Sequence, residues 1–482
     1  MDKNQRDQVL DNAKYLREVR PIDPDEIYEY VEGQPHPAAV RQVLRDSALD
    51  LGVIERPDGR FEPASDDPVT VDFDGVERLP EGIAHRLEAL LVERFGPGWP
   101  DGTSGDRLRA VIRDFKSQYL GGGTVTYDEV TALGYAIYHL PAYFAATQYV
   151  LAELAAAGLL PARLRVLDVG AGVGGPALAL DDLLPEDALV EYHAVEPSDA
   201  ADVLAAMLDV TGENFRPTIH RERIEGVEID GEFDLILCAN VLSELDDPAP
   251  VLESLFDKLD EDGTLCALAP ADRNTAIQLR EHERHLERDH GATVYAPTVR
   301  LWPHETPEGT SWSFDRRPDL ETPAFQRRLD EGDRVDTATV TEDGESERAP
   351  GDGEFVNTDV QYAYSLLRRD GRRAIDLSLD SGRFAKMAAT ERHVTERIDC
   401  VAIKLSRDLS DGGNPLYLVG DGSQRIDHFA VLTESSVLNR DLREAAYGDL
   451  LQFENVLVLW NDDEGAYNMV VDGETVVDRV PA

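Results

Sequence analysis

The sequence predicts an α/β domain built around a parallel β-sheet, and two observations carry this prediction. From residue 163 onward, short β-branched segments alternate with helical patterns, an order typical of parallel βαβ units. The first of these segments, 165–169, ends in a glycine-rich turn that leads into the helical pattern 176–184. Because ligands of open α/β sheets bind beyond the carboxyl ends of the strands, this turn is the predicted ligand site.

The glycine-rich turn follows an acidic residue: Asp168 stands two positions before Gly170 in the sequence DVGAGVGG. Glycine lets the backbone approach a ligand where a Cβ would clash, and the helix beyond offers free N–H groups. The candidate ligand-binding residues of the turn are Asp168, Gly170, Ala171, Gly172 and Gly174.

Two ligands compete for this turn. Gly170, Gly172 and Gly175 satisfy the GxGxxG pattern of dinucleotide sites, in which the helix N-terminus holds a pyrophosphate. The carboxylate of Asp168 would oppose a pyrophosphate, but it suits S-adenosylmethionine, which has an ammonium group and no phosphate. No second mononucleotide-binding half is visible in the sequence, so we expect S-adenosylmethionine as the cofactor.

Later segments agree with this expectation. The next predicted strand, 189–195, ends at Glu196, where a carboxylate can accept hydrogen bonds from both ribose hydroxyls. The fourth strand, 233–238, runs toward Asn240 and Val241, which we expect to line the cofactor and the methyl acceptor. The adenine contact stays open among three residues after the third strand, which are Glu222, Arg223 and Glu225.

The rest of the chain predicts flanking modules. Helical patterns at 11–19, 24–31 and 37–51 precede a hairpin with an Asp-Gly turn, an order that resembles a winged helix. Arg41 and Arg45 of the third pattern would then face phosphates, while the alternative is a small packing or protein-contact module. The predicted organisation is a winged-helix-like module at 1–65, a helical region at 78–160, the α/β core at 161–330 and 355–375, an acidic loop or linker at 331–354, and a β-rich C-terminal domain at 398–482.

The charge is strongly negative, with a formal net charge of −48 and only 6 lysines among the 47 basic residues. Diffuse acid with arginine in place of lysine is typical of a salt-loaded cytoplasm, so we expect a halophilic source. At molar salt the Debye length falls to about 3 Å, so the negative surface does not exclude an RNA partner.

The sequence does not predict a disulfide-rich, metal-binding, membrane-spanning or secreted protein. The three cysteines lie far apart without a CxxC pair, which predicts neither a disulfide framework nor a cysteine zinc site. No ligand set surrounds His304, so no metal is expected there. No apolar run approaches the roughly 20 residues of a membrane span, and no secretory signal is visible. We therefore expect a cytoplasmic protein without a membrane partner.

Three motifs together resemble the mitochondrial small-ribosomal-subunit assembly family, methyltransferase-like proteins shared by bacteria, archaea and mitochondria. These are LPAYFAA at 140–146, the DVGAGVGG turn, and NVLSEL at 240–245. The segments RIDHF at 425–429 and YGDLL at 447–451 resemble the family's closing region. The resemblance covers about 80–330 and 355–460. It implies a class I Rossmann-like methyltransferase core that binds S-adenosylmethionine and associates with small-subunit ribosomal RNA or its assembly intermediates.

The sequence departs from this family at one point. Several members hold four cysteines after the fifth strand that bind an iron–sulfur cluster, whereas the stretch 296–314 has none, so no cluster is expected here. Trp302, His304 and Trp312 in this stretch either stack on bases or pack in the core.

The residue that activates the methyl acceptor is not identified by any motif. The Asp/Asn-Pro-Pro-aromatic motif of amino-methylating enzymes and the Pro-Cys of 5-methylating enzymes are both absent after the fourth strand. Three residues near the expected site are candidates for this role: Cys238, Ser243 and Glu244. Cys238 is equally expected as a buried core residue, and Glu244 as an acid at the start of a helix. The alternative function is therefore an assembly factor that binds the cofactor without turnover; a nicotinamide-dependent oxidoreductase is the remaining class.

Overall fold

The computed structural model describes residues 1–121, 127–335 and 351–481, without the side chains of 118–121. The predicted glycine break at 121–123 and most of the predicted acidic linker lie outside the described residues. The chain forms two compact units, Met1–Leu235 with Leu320–Thr358, and Ile236–Asp319 with Asp359–Ala482, and each is described by itself. Among the described residues, no helix combines the length and the apolar composition needed to cross a bilayer.

The α-helices in chain order are α1 (Lys3–Leu16), α2 (Pro24–Ile27), α3 (Pro37–Asp46), α4 (Ala48–Leu51), α5 (Glu81–Phe95), α6 (Gly102–Gly121), α7 (Glu129–Ala156), α8 (Gly175–Leu183), α9 (Ala200–Met207), α10 (Pro248–Asp257), α11 (Arg273–His290), α12 (Ala324–Glu331) and α13 (Asp441–Glu444). The strands are β1 (Val53–Glu55), β2 (Phe61–Pro63), β3 (Arg163–Val169), β4 (Leu189–Val195), β5 (Phe215–His220), β6 (Phe233–Ala239), β7 (Leu259–Pro270), β8 (Thr293–Ala296), β9 (Asp315–Arg317), β10 (Val360–Arg368), β11 (Arg397–Lys404), β12 (Leu416–Gly420), β13 (His428–Leu432), β14 (Leu450–Asn461), β15 (Ala466–Val471) and β16 (Val476–Val480).

The N-terminal helices and the β1–β2 hairpin occur in the predicted order, but α1 begins eight residues before the predicted start at residue 11. The reason is a capping box: the Asp2 carboxylate accepts from the Gln5 backbone N–H at 2.8 Å, and the Gln5 side chain accepts from the Asp2 N–H at 3.1 Å. Asp23 caps α2, and Pro24 occupies its first turn, as predicted.

The arginines of α3 bind carboxylates of their own chain instead of standing free for phosphates. Arg45 donates to Glu55 at 2.6 Å and to Glu213 at 2.7 Å, and Arg41 lies 3.6 Å from Glu55. The Glu55 backbone N–H also donates to the Asn214 side chain at 2.8 Å. These contacts favour the packing interpretation of this module over the nucleic-acid one.

The first unit contains the parallel strand order β5–β4–β3, followed by the first residues of β6. The register aligns Val169 with Val195 and Val195 with His220. The carboxyl ends of these three strands therefore lie side by side, as the alternation of strands and helices predicted.

Helix α7 contains a proline in its interior, Pro141. Proline has no N–H, so the carbonyl oxygen of Ile137 one turn earlier loses its helical partner. The fully buried Gln326 of α12 replaces it, because its Nε2 donates to the Ile137 oxygen at 2.8 Å. Asn357 likewise donates to the Tyr138 carbonyl at 3.0 Å. The proline-containing helix is thus completed by two side chains more than 180 residues away, at separations of 189 and 219 residues.

The second unit contains the end of β6 and the strand order β6–β7–β10–β8, with β10 antiparallel to β7 and to β8. The C-terminal strands form a closed circuit in the order β11–β12–β13–β15–β14–β11, with β13 and β15 parallel and the other pairs antiparallel. This is the strand arrangement of an OB-fold, a small five-stranded barrel. The predicted β-rich tail is therefore a barrel, to which β16 adds by pairing with β14.

One face of this barrel is covered within the second unit. Val299, Leu301 and Trp302 pack with apolar side chains of β11 and β12, among them Ile403 and Leu418. The Trp302 indole N–H donates to the buried Asp421 carboxylate at 2.6 Å. Of the two interpretations of Trp302, the packed core residue is therefore the one that the structure supports.

We predict that Gln326→Ala lowers the free energy of unfolding by about 1–3 kcal/mol, since it leaves the buried Ile137 carbonyl without its donor. In a Pro141→Ala background the same change costs less, because the new peptide N–H at position 141 reaches that carbonyl by the ordinary helical bond. The measurement is a double-mutant cycle by chemical denaturation in molar KCl. The exposed Gln42→Ala is the control, with an expected change within about 0.5 kcal/mol. Equal costs in both backgrounds would contradict the proposed role of Gln326.

Candidate cofactor site

The turn after β3 owes its shape to three glycines in the left-handed region. The φ angles of Gly170, Gly172 and Gly174 are 68°, 54° and 93°, a conformation that costs other residues roughly 1–2 kcal/mol each. The N–H groups of Gly170 and Ala171 donate to the Val195 carbonyl at 2.9 and 3.1 Å. The turn is thereby tied to the carboxyl end of β4.

The glycines of this turn serve different purposes. A Cβ on Gly174 would stand 2.9 Å from Leu204 of α9, and one on Gly175 would contact α7, with Leu140 and Tyr143 each 3.7 Å away. A Cβ on Gly172 would stand in open space, with its nearest neighbour 3.9 Å away. Gly174 and Gly175 therefore permit close helix packing, whereas Gly172 leaves room over the turn that a ligand can fill.

Asp168 is fully buried at the end of β3. Its Oδ2 accepts from the Tyr192 hydroxyl at 2.6 Å, while its Oδ1 has no hydrogen-bond partner in the part of the chain that the structure describes. Burial raises the pKa of Asp168 to about 7; the Tyr192 hydrogen bond opposes this rise and the charge of Glu196 adds to it. A cationic donor at Oδ1 would satisfy the orphan oxygen and favour the ionised form, and a pyrophosphate would do neither.

Glu196 is held in place by the turn and by the residue that follows β4. Its Oε2 accepts from the Gly172 N–H at 2.9 Å, and its Oε1 accepts from the Ser198 N–H at 2.9 Å and from the Ser198 hydroxyl at 2.5 Å. Each carboxylate oxygen offers two lone pairs, so Oε2 can still accept from a ligand hydroxyl. Asp168, Glu196 and the glycines of the turn thus lie together, as predicted.

The three candidates for the adenine contact, Glu222, Arg223 and Glu225, are all exposed beyond the carboxyl end of β5, so the alternatives stay open.

Asn240 and Val241 belong to the second unit. Asn240 has a φ of 60°, and its N–H donates to the Leu268 carbonyl at 2.9 Å. It lines a pocket with Ser243, Gln278 and His282.

The candidates for chemistry in the second unit lie in contrasting surroundings. Cys238 is fully buried in β6, whereas Ser243 and Glu244 are exposed. In the stretch without cysteines, His304 is exposed, and the half-buried Trp312 donates its indole N–H to the Ala271 carbonyl at 3.0 Å.

An aromatic group on α7 was missed from the sequence. Tyr135, His139 and Tyr143 stand four residues apart, and the His139 and Tyr143 rings stack at 5.0 Å and 12°. Desolvation, and then the charge of Lys116, lower the pKa of His139 to about 3, so its imidazole is neutral at pH 7. Helical spacing alone would have placed these rings on one face, and the contact between Tyr143 and Gly175 brings that face to the start of α8.

The chain matches three protein-family descriptions. Residues 142–322 match a methyltransferase domain. Residues 6–57 and 388–480 match the N-terminal and C-terminal domains of a family described as a domain of unknown function, DUF8157. The first match confirms the predicted class I Rossmann-like fold. The predicted enzyme class and cofactor, a methyltransferase that uses S-adenosylmethionine, are confirmed at the level of this domain. No curated protein matches the chain.

Three of the solved structures with some similarity are described as methyltransferases. An S-adenosylmethionine-dependent methyltransferase from Clostridium acetobutylicum is 16% identical with a TM-score of 0.21, over 31% of this chain and 55% of that one. One from Aquifex aeolicus is 18% identical with a TM-score of 0.27, over 34% and 85%. The magnesium protoporphyrin IX methyltransferase from Synechocystis, with bound S-adenosylhomocysteine, is 18% identical with a TM-score of 0.27, over 39% and 91%. The match to the Clostridium acetobutylicum protein therefore spans about half of that protein's length.

We predict that alanine substitutions separate the two roles of the glycines. Gly174→Ala lowers the free energy of unfolding by about 2–4 kcal/mol, because the strained backbone and the contact with Leu204 add. Gly172→Ala costs only about 1–2 kcal/mol, because its methyl group meets open space. Chemical denaturation in molar KCl measures both. Equal losses for the two variants would contradict the assignment of Gly172 to the ligand side of the turn.

Proposed function

We propose that this protein transfers a methyl group from S-adenosylmethionine to small-subunit ribosomal RNA or to its assembly intermediate. The cofactor half of the proposal rests on Asp168, a buried carboxylate beside the glycine turn whose Oδ1 has no hydrogen-bond partner within the described ranges of the chain. Sulfonium, ammonium and carboxylate are the charged groups of this cofactor, and among them the ammonium is the donor that Asp168 lacks.

Different residues at the turn and at the end of β4 bind different parts of the cofactor. Asp168 holds the ammonium group, and Gly170, Ala171, Gly172 and Gly174 form the cradle for the methionine part. Glu196 accepts from one ribose hydroxyl through the lone pair of Oε2 that Gly172 leaves free. The bound cofactor supplies the electrophilic methyl group, while the chain supplies position and exclusion of water.

The aromatic group on α7 supports a planar methyl acceptor such as a nucleobase. Base–aromatic stacking needs exposed ring faces, and Tyr135, Tyr138, His139 and Tyr143 are all partly exposed. With its pKa lowered to about 3, His139 is a neutral imidazole that is able to accept a hydrogen bond from the acceptor.

Ribosomal RNA as the acceptor rests on the resemblance of the LPAYFAA, glycine-turn and NVLSEL motifs to the small-subunit assembly family. The same resemblance, with the acidic and lysine-poor composition, leads us to propose a cytoplasmic role in a halophilic cell. The acidic surface does not prevent RNA binding there, because molar salt screens charges beyond about 3 Å.

A second candidate function is a small-subunit assembly factor that binds the cofactor without methyl transfer. The specific observation in its favour is the segment after β6. Cys238 near the end of β6 is buried, and Ser243 and Glu244 after it are exposed. Asn240 is followed by Val241-Leu242-Ser243 where amino-methylating enzymes have two prolines and an aromatic residue.

We predict that S-adenosylmethionine binds more weakly as the pH falls below 7. In the free protein the pKa of Asp168 is about 7, so its carboxyl is largely protonated in acid. The ammonium of the ligand requires the ionised form, so binding below pH 7 releases a proton and the Kd rises up to about tenfold per pH unit. Calorimetry in molar KCl, in buffers of different ionisation enthalpy, measures the affinity and the proton.

The variants of Asp168 separate the possible results. Asp168→Ala abolishes binding, and Asp168→Asn binds weakly with no proton release. The exposed Asp187→Asn, just before the amino end of β4, is the matched control and keeps both the affinity and the pH dependence. Absence of binding by the wild type would overturn the cofactor claim, and pH-independent binding would move the ammonium away from Asp168.

We predict that a deletion strain lacks one methylated nucleotide of small-subunit ribosomal RNA, and that a gene carrying Asp168→Ala does not restore it. Mapping of modified nucleotides in wild-type, deletion and complemented strains measures this. If every methyl mark persists while subunit assembly fails, the factor without turnover is the correct function.

A further inference from the structure

We propose that Glu253, His285 and His290 form a binding site for a divalent transition-metal ion, of which Zn²⁺ is the best match. All three residues lie in the second unit, on α10 and on the C-terminal half of α11. Their ligand atoms, one from each residue, all lie within 4.8 Å of one another. This site is independent of the proposed methyl transfer.

The distances between the ligand atoms suit a tetrahedral ion. His285 Nε2 is 2.8 Å from Glu253 Oε1, and His290 Nε2 is 3.4 Å from the same oxygen. Zinc at 2.0–2.2 Å from nitrogen and oxygen ligands places neighbouring ligand atoms about 3.3 Å apart. The first pair, which forms a hydrogen bond, must open by about half an ångström to admit the ion, and the ligand atoms of the two histidines lie within 4.8 Å of each other.

A fourth residue orients the central ligand. Asp289 Oδ2 lies 2.9 Å from Nδ1 of His285, so this carboxylate can hold a proton on Nδ1 when Nε2 exchanges its hydrogen bond to Glu253 for the ion. A carboxylate behind a metal-binding histidine is the usual second layer of zinc sites, because it fixes the tautomer and raises the basicity of the ligand.

The three protein ligands leave one position for water and join two helices. Glu253 is contributed by α10, while His285 and His290 lie in α11, the helix that also lines the Asn240 pocket through Gln278 and His282. A bound ion would therefore fix the separation of α10 and α11. The site was not predicted from the sequence because 32 residues separate Glu253 from His285.

The test is metal titration of the full chain, freed of any affinity tag, in molar KCl. We expect one Zn²⁺ per chain by competition with a chromophoric chelator, and a rise in the thermal unfolding midpoint on binding. Co²⁺ at the same site should give the visible absorption of four- or five-coordinate cobalt. His285→Ala, His290→Ala and Glu253→Gln should each weaken Zn²⁺ binding by tenfold or more.

Two further variants make the result specific. Asp289→Asn should weaken binding by about tenfold without removing a ligand, since it acts through His285. His304→Ala removes an exposed histidine outside the cluster and should change nothing. The proposal is overturned if the wild type binds no stoichiometric Zn²⁺, or if His304→Ala weakens binding as much as His285→Ala does.

Discussion

The geometry of the first unit depends on one constraint, the left-handed backbone at Gly170, Gly172 and Gly174 between β3 and α8. This turn bonds to the end of β4 through Val195, positions the Gly172 N–H on Glu196, and lets α8 approach α7 and α9. It also leaves Asp168 buried at the strand end, with one carboxylate oxygen that has no partner among the described residues. A cationic ligand would satisfy this oxygen, and the raised pKa of Asp168 reflects the free energy of its desolvation.

Helix α7 supplies the second wall of this region. Pro141 removes one helical hydrogen bond, and Gln326 satisfies the freed Ile137 carbonyl from a distant part of the chain, while Asn357 donates to the neighbouring Tyr138 carbonyl. The helix therefore continues through the proline, and its aromatic stripe of Tyr135, His139 and Tyr143 remains in line with the start of α8. From the sequence alone a proline predicts the end of a helix. Here the helix continues for 28 residues, because a side chain from another element replaces the missing donor.

The arginines of this acidic chain are largely engaged by its own carboxylates. Arg45 holds Glu55 and Glu213, and in the second unit the buried Arg300 holds Glu283 and Glu287 at 3.3 and 2.7 Å. This pairing of arginine side chains with carboxylates favours a role in packing over phosphate binding. The N-terminal module illustrates this, since its helix order resembles a winged helix while its arginines face Glu55.

The sequence by itself determined the α/β core, the glycine turn, the position of Glu196 and the β-rich tail, because these depend on local periodicity and on residues close in the chain. It left the module of Arg41 and Arg45 open between phosphate binding and packing, and it left Trp302 between two roles. In both cases the buried partner, Glu55 or Asp421, was not visible in the local pattern. Only the tertiary structure decided the hydrogen bond from Tyr192 to Asp168 and the bond from Gln326 to the carbonyl that Pro141 leaves free. The same is true of the closure of the barrel and of the cluster of Glu253 with two histidines. Each of these joins residues far apart in sequence, and the physical reason is the same: burial and pairing follow from the packing of whole elements, which no local spacing encodes.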